Sequence, residues 1–142
     1  MGRREVILAD TQAIIWLLQN DPRLGRRAQE IFFEAAGSDG IAVSAITPWE
    51  ISMIAAKGKL ALGRPTKDWV EAMFSLPGIQ LAPIVPRIGV DAGELPGEIH
   101  GDPADRLIIA TARWLDCPLM TSDGKILDYA KDGHVQAIDA RR

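Results

Sequence analysis

The chain has 142 residues, a length that fits one domain with its own core, and its 47% apolar and 25% charged residues exclude a disordered or fibrous protein. Its net charge of −3 argues against a generic binder of nucleic acid, so any such contact needs a local basic patch or a bridging metal ion. No apolar run approaches the ~20 residues that cross a membrane, which excludes a membrane span.

The first part of the chain predicts three strands and four helices in alternation. The short apolar run 6–9 predicts a buried strand, and residues 13–18 continue as a helix that is apolar on nearly every side. Apolar residues at helical spacing from Leu24 predict a second helix, which Gly37 ends. The pattern then predicts a strand over 41–44, helices over 47–57 and from residue 66 to 74, and a strand over 79–82.

The second part continues the alternation. Residues 86–95 predict a helix, and a loop with two glycines and one proline leads to the most apolar helix of the chain, over 102–115. A strand over 118–121, a helix over 123–130 and a strand over 135–138 follow. Because short apolar strands alternate with helices, we predict a single α/β domain over residues 1–142, with a parallel sheet covered by helices on both faces.

The N-terminal sequence and the cysteine content bear on where the protein works. The apolar stretch after Arg3 and Arg4 is interrupted by Asp10 and lacks a small-residue cleavage site, which argues against a secretory signal. The single Cys117 excludes an internal disulfide and a zinc site built on cysteines, and it suits a reducing compartment. We therefore expect a cytoplasmic protein.

Some acidic residues lie at or near the junctions between strands and helices: Asp10, Glu50, Asp105 and Asp123. In open parallel sheets, ligands bind outside the carboxyl ends of the strands, so acids at separate junctions are expected to converge there. Clustered carboxylates repel one another, and a divalent cation would relieve that repulsion. Carboxylate ligands without His or Cys suit Mg²⁺ or Mn²⁺, and such a site is compatible with metal-assisted hydrolysis of phosphodiesters.

Each acid also has a simpler explanation as a helix cap. The segment Thr-Pro-Trp-Glu over 47–50 matches a capping box with Thr47 at the N-cap and Glu50 at N3. Asp102 is placed to cap the helix that follows it, and Asp10 and Asp123 are placed to cap theirs or to interact with the helix dipole. Taken singly, each acid is explained by capping; only the set as a whole indicates a metal site.

Four segments carry a family resemblance, in order along the chain: VILADTQAIIW over 6–16, VSAITPWEI over 43–51, GDPADRLIIA over 101–110 and LMTSD over 119–123. Together they resemble the motifs of PIN-domain ribonucleases, most of all the VapC type of toxin from toxin–antitoxin pairs. The resemblance spans nearly the whole chain. It implies a three-layer α/β/α sandwich and a Mg²⁺- or Mn²⁺-dependent endoribonuclease that hydrolyses RNA phosphodiester bonds.

The resemblance also assigns roles to residues and implies partners. The acids that match the family's catalytic, metal-binding positions are Asp10, Glu50, Asp105 and Asp123. The supporting positions are Asp102, Thr11 and Ser122, the last two as small hydroxyls near the metal. The family further implies a cognate antitoxin that occludes the site, and a homodimer, for which the apolar helices that carry Trp16 and Trp69 could supply buried surface.

Other residues leave two interpretations open. A stretch without acids carries the cations Lys57, Lys59, Arg64 and Lys67, which either contact RNA phosphates or form a solvated helix end and loop. His100 precedes the third motif and could contact substrate, but an exposed loop histidine is the simpler expectation. Trp49 adjoins Glu50, and packing is the simpler role for it than stacking on a base.

A non-catalytic α/β binding module is the alternative to an enzyme. A receiver-like domain would use Asp10 as phosphoacceptor, but it would bring two adjacent acids after the first strand, and here Asp10 stands alone. Lys125 also comes too early to match a receiver's late lysine. A degenerate PIN domain would lack one of the four acids, and none is lacking. No glycine-rich nucleotide-binding motif is present in the sequence.

Overall fold

The structure, a computed structural model, describes residues 5–142. Arg3 and Arg4, which were weighed as the start of a secretory signal, lie outside the described residues. Strands and helices alternate along the described chain as predicted. In chain order they are β1 (Ile7–Ala9), α1 (Thr11–Leu18), α2 (Arg26–Ala36), β2 (Ile41–Ser44), α3 (Thr47–Ala56), α4 (Thr66–Ser75), β3 (Ile79–Ala82), α5 (Pro86–Gly93), α6 (Pro103–Leu115), β4 (Leu119–Thr121), α7 (Gly124–Ala130) and β5 (Ala137–Asp139).

The strands form one parallel sheet in the order β3-β2-β1-β4-β5. The central strand β1 pairs with β2 on one side and β4 on the other, with Leu8 opposite Ala42 and Leu119. From β1 the chain moves outward through β2 to β3 and then crosses to β4 and β5 on the other side. The carboxyl ends of β1 and β4 therefore form the switch point, where α/β sheets bind their ligands.

Two hydrophobic cores lie on the two faces of this sheet. Because successive strand residues point to opposite faces, Leu8 packs on one face with α5, α6 and α7, whereas Ile7 and Ala9 pack on the other with α1 to α4. The largest buried side chains include Ile108 and Ile109 of α6, both fully buried. This is the three-layer α/β/α arrangement that the sequence predicts, and the fold class is confirmed.

Several predicted boundaries were wrong, and for α1 and the last strand the structure gives the reason. α1 begins at Thr11, because the Asp10 side chain accepts a hydrogen bond from the backbone N–H of Thr11 and caps the helix there. The last strand begins at Ala137, because its pairing with β4 starts at Leu119 opposite that residue. α5 ends at Gly93. Within the described chain, none of the helices combines the length and apolar character that crossing a membrane requires.

The predicted capping box of α3 was also wrong. The N-cap is Ile46, which has helical backbone angles, and no side chain caps the helix. Thr47 lies inside the helix and is fully buried, with its hydroxyl turned toward α1. The Glu50 carboxylate likewise accepts a hydrogen bond from α1 instead of from the start of its own helix. Contacts between helices therefore override the local capping pattern, and they leave Glu50 at the end of the sheet.

Candidate active site

Asp10 occupies the carboxyl end of the central strand and is almost fully buried, with 7% exposure. Its Oδ1 accepts a hydrogen bond from the backbone N–H of Thr11 at 2.8 Å, and its Oδ2 accepts one from the Thr121 hydroxyl at 2.7 Å. Strand burial on both faces places this carboxylate at the switch point, and the two donors fix its orientation. Each oxygen keeps a lone pair for a further ligand.

Glu50 reaches the same point from α3. Its Oε1 accepts a hydrogen bond from the Thr11 hydroxyl at 2.5 Å, and that hydroxyl also lies 3.0 Å from the Thr47 hydroxyl. A threonine hydroxyl has one proton to donate, so with the Thr11 proton directed at an ionised Glu50, Thr47 donates to Thr11. The two helices are thus joined by a short hydrogen-bond chain that ends on Glu50.

Asp102 and Asp105 lie at the start of α6. Asp102 caps this helix, since its Oδ1 accepts a hydrogen bond from the backbone N–H of Asp105 at 3.1 Å. The predicted capping role of Asp102 is therefore confirmed. The Asp105 carboxylate, by contrast, accepts no hydrogen bond from any described residue, and its side chain is 15% exposed.

Asp123 follows β4 and caps α7. Its Oδ1 accepts hydrogen bonds from the backbone N–H groups of Lys125 at 2.8 Å and Ile126 at 3.4 Å. Its own backbone N–H donates to the Thr121 hydroxyl at 3.0 Å, the same hydroxyl that donates to Asp10. Thr121 therefore links the ends of β1 and β4 and fixes the spacing of these two acids.

His100 joins the acids from the loop before α6. Its Nε2 lies 3.4 Å from Oδ2 of Asp105, and its side chain is 21% exposed. One ligand atom from each of His100, Asp105 and Asp123 lies within 4.8 Å of the others. The expectation of an exposed loop histidine was wrong, because Arg106 draws the loop inward by donating hydrogen bonds to backbone carbonyls, including that of His100.

The crowding of negative charge appears in the pKa values of the acids. Burial raises the pKa of Asp10 and of Glu50 above their ordinary values, although hydrogen bonds from Thr121 and Thr11 oppose the rise. Burial raises the pKa of Asp105 to about 8, and the charges of the surrounding carboxylates contribute to the rise. Those carboxylates are, in order of effect, Asp10, Asp102, Asp123 and Glu50. The acids therefore share one electrostatic environment, as convergence at the sheet edge predicts.

The donor set fits a hard divalent cation. Carboxylate oxygens dominate it, the described part of the chain supplies no thiolate there, and mutual repulsion would be relieved by positive charge. Oxygens of Asp105 and Asp123 belong, with a ring nitrogen of His100, to one group of possible ligand atoms. Asp10 and Glu50 influence Asp105 through their charge, and the Thr121 hydroxyl joins Asp10 to the backbone N–H of Asp123.

The other sequence candidates lie in different places. Thr11 belongs to the network, whereas Ser122 contributes its backbone carbonyl, which accepts a hydrogen bond from Arg141, and makes no side-chain hydrogen bond within the described residues. The basic stretch is exposed at the end of α3, in the α3–α4 loop and at the start of α4, and it forms no ion pair within residues 5–142. It comprises Lys57, Lys59, Arg64 and Lys67.

The tryptophans divide between core and surface. Trp16 is 3% exposed and packs in the core, so any dimer surface on its helix must come from other residues. Trp69 packs against the core on the α1–α4 face. Trp49, beside Glu50, is 51% exposed, so it does not pack in the core, and packing at an interface stays a prediction. It is therefore free for contact with another molecule.

Sequence reasoning missed Thr121, Thr47 and Arg106. Thr121 lies inside the fourth motif, two residues before Asp123, and a hydroxyl at the last position of a buried strand was the signal available for it. Arg106 follows Asp105 directly, and nothing local distinguishes it from a solvated helix residue. Its role depends on carbonyls at the end of α5 that only the fold brings near.

Comparison with known proteins agrees with this geometry. The PIN domain model matches residues 7–132. The chain is 30% identical over 123 residues to Ribonuclease VapC22 of Mycobacterium tuberculosis, covering 87% of this chain and 91% of that protein. It is similar to a toxin–antitoxin complex from Klebsiella pneumoniae, with a TM-score of 0.61, 25% identity and coverage of 94% and 97% of the two chains. It also resembles VapBC-1 from nontypeable Haemophilus influenzae, with a TM-score of 0.69, 20% identity and coverage of 96% and 99%. The chain belongs to the PIN domain family.

Proposed function

We propose that this protein is a metal-dependent endoribonuclease and the toxin of a toxin–antitoxin pair. The observation that carries the proposal is the convergence of Asp10, Glu50, Asp105 and Asp123 at the switch point of a PIN domain. The similarity to a named ribonuclease supports RNA as the substrate. The family match favours this function over a receiver-like module, and the presence of every acid favours it over a degenerate PIN domain.

The four acids would hold Mg²⁺ or Mn²⁺, with Asp102 adding negative charge beside them. The ion, when bound, would orient and activate a water and stabilise charge on a phosphoryl oxygen. The protein's part is to hold the ligand oxygens in place before the ion arrives. Thr121 and the Thr11 backbone fix Asp10, the Thr11 hydroxyl fixes Glu50, and the α7 backbone fixes Asp123.

RNA must approach a site that is itself negative, so cations near the site would assist. Arg141 is exposed, and it donates a hydrogen bond to the carbonyl of Ser122 without pairing with a carboxylate in the described structure. The basic stretch lies farther away: Lys57 follows Glu50 by seven helical residues, or roughly 10 Å along the axis. We place Arg141 near the scissile phosphate, and the basic stretch on more distant phosphates of the same strand.

The decisive experiment compares RNA cleavage by the purified protein with that by Asp10→Asn. We expect Mg²⁺-dependent cleavage that a chelator abolishes, and a loss of about 100-fold or more in the variant. Asp116→Asn is the matched control, because it makes the same change at an exposed carboxylate. Circular dichroism should be used to check that both variants fold. Equal cleavage by wild type and Asp10→Asn would refute the proposed function.

The partners follow from the same proposal. Similarity to toxin–antitoxin complexes supports a cognate antitoxin that covers the acidic site. We also propose a homodimer and a cytoplasmic location, the latter consistent with a single cysteine. Co-expression with the product of the neighbouring reading frame tests the antitoxin directly. The partner should copurify with this chain and suppress cleavage, and suppression should be absent when the partner is omitted.

A further inference from the structure

His100 presents its two ring nitrogens to different surroundings. Nδ1 accepts a hydrogen bond from the backbone N–H of Asp102 at 3.3 Å. Nε2 is buried and lies 3.4 Å from Oδ2 of Asp105, but it is not aligned for a hydrogen bond with any described residue. A buried polar atom without a partner at the edge of an acidic cluster requires an explanation.

The contact on Nδ1 determines what Nε2 can do. A backbone N–H only donates, so Nδ1 must carry a lone pair, and the ring proton is on Nε2. A metal ligand needs a lone pair on the coordinating nitrogen. Moving that lone pair to Nε2 would place a proton on Nδ1, facing the N–H of Asp102. In this orientation, the ring is a hydrogen-bond donor toward the cluster and not a ligand for the ion.

Arg106 positions the backbone of the loop that carries the ring. Its guanidinium donates to the backbone carbonyls of Ala92, Gly93, Ile99 and His100, at distances from 2.8 to 3.4 Å. It thereby ties the end of α5 to the loop that carries His100. Because the guanidinium N–H groups bind carbonyls, Arg106 forms no ion pair with the neighbouring acids within the described residues. Its function is to position the loop.

Space for a substrate lies beside the ring. A cavity of about 500 Å³ is lined by His100, Lys125 and Tyr129 together with the acids Glu98, Asp128 and Asp132. Lys125 is exposed and adds a positive charge at its edge. The acids outnumber Lys125, so the phosphate is expected at the edge of the cavity and not inside it: an oxygen of a phosphate held at an ion on Asp105 would lie beside Nε2, which is 3.4 Å from that carboxylate. An anionic oxygen there would pair the orphan Nε2–H, and a hydrogen bond to a charged group is stronger than one to a neutral group.

We propose that His100 is a substrate-binding residue whose Nε2–H donates to a phosphate oxygen of RNA, and that it is not a ligand of the metal ion. The inference rests on the proposed ribonuclease function and adds a residue to it. It also separates His100 from the carboxylates with which it shares a cluster. Arg106 is the corresponding positioning residue.

The test uses two substitutions at one position. His100→Ala removes the donor, whereas His100→Gln retains an amide N–H at about the reach of Nε2. We expect His100→Ala to lower kcat/KM for RNA by roughly 10–100-fold, the usual effect of losing a hydrogen bond to a charged group. His100→Gln should recover a large part of that loss. His134→Gln, at the chain's other histidine, is the matched control and should cleave RNA as wild type does.

A second measurement separates substrate binding from metal binding. Calorimetry with Mg²⁺ or Mn²⁺ alone should give the same ion affinity for His100→Ala and wild type. The electron paramagnetic resonance spectrum of Mn²⁺ bound to wild type should show no coupling to a ring nitrogen. A tenfold loss of ion affinity, or such a coupling, would make His100 a ligand and overturn the proposal. Unchanged cleavage by His100→Ala would equally overturn it.

The two proposals fail in distinguishable ways. If wild type cleaves RNA and Asp10→Asn does not, the ribonuclease function stands and the His100 variants are judged on their own. If wild type does not cleave RNA, the function falls and the substrate role of His100 falls with it. The ion-binding measurement still decides whether His100 coordinates the metal.

Discussion

Asp105 should make the metal-free protein less stable as the pH rises. Its pKa in the folded protein is about 8, compared with 3.8 for an ordinary aspartate. Between these values the folded state holds a proton that the unfolded chain has released. Folding is therefore linked to proton uptake, and the free energy of unfolding falls as the pH rises from about 4 to about 8. The raised pKa of Glu50 acts in the same direction, so a single-site comparison is needed.

The Asp105→Asn variant isolates this contribution. If the folded protein held one extra proton throughout, the free energy of unfolding would fall by 1.36 kcal/mol per pH unit, or about 4 kcal/mol between pH 5 and pH 8. The side chain keeps 15% exposure, and solvent screening weakens such interactions, so we expect roughly 1–2 kcal/mol. At about pH 5 the variant and wild type should have similar free energies of unfolding. At about pH 8 the free energy of unfolding of the variant should be higher by roughly 1–2 kcal/mol.

Urea denaturation in chelator, followed by circular dichroism at both pH values, measures the difference. Asp116→Asn is again the control, because Asp116 is exposed and asparagine tolerates its left-handed backbone, with φ of 51°. Adding Mg²⁺ at the higher pH should stabilise wild type more than Asp105→Asn, since binding to the folded state alone adds to stability. The same free-energy difference between variant and wild type at both pH values would refute the reasoning.

Three further outcomes test the network around Asp10, the proposed dimer and the basic stretch. Thr121→Val should destabilise the protein by about 1–3 kcal/mol in urea denaturation, because the hydroxyl between Asp10 and the Asp123 N–H is lost; an unchanged midpoint would contradict it. Sedimentation at micromolar concentration should show a dimer, and a species of only 15.5 kDa would count against one. Replacing the four cations of the basic stretch by alanine should weaken RNA binding and make the affinity depend less on salt concentration. An unchanged salt dependence would mean that these side chains are solvated and do not contact RNA phosphates. The four cations are Lys57, Lys59, Arg64 and Lys67.

The parts of this fold that follow from periodicity could be predicted from the sequence. Strand β1 has apolar residues on both faces and α6 has a broad apolar stripe, so element type and alternation were evident. Convergence of the acids follows from topology, because parallel strands end at the same edge of the sheet. Asp10 directly follows β1 and Asp123 comes two residues after β4, and these strands are neighbours, which explains why the proximity of the two acids could be anticipated.

The failures share a physical cause, which is that distant contacts displaced local ones. Thr47 fits an N-cap by sequence, but its hydroxyl is taken by Thr11, 36 residues away. His100 looks like an exposed loop residue, but Arg106 binds carbonyls of that loop and of the end of α5 and draws it inward. No local pattern encodes these contacts.

The difference between capped and uncapped acids explains where the ion is needed. Asp10 and Asp123 cap helices, so backbone N–H groups and the positive ends of α1 and α7 already stabilise their negative charge. Asp105 lies inside the first turn of α6, and its carboxylate accepts no hydrogen bond in the described structure. Because it shares the repulsion of the cluster without a donor of its own, it is the acid whose charge depends most on a cation. Without an ion, a proton on Asp105 relieves that repulsion. In the proposed function Asp105 would hold the ion as a carboxylate, and Nε2–H of His100 would be left for the substrate.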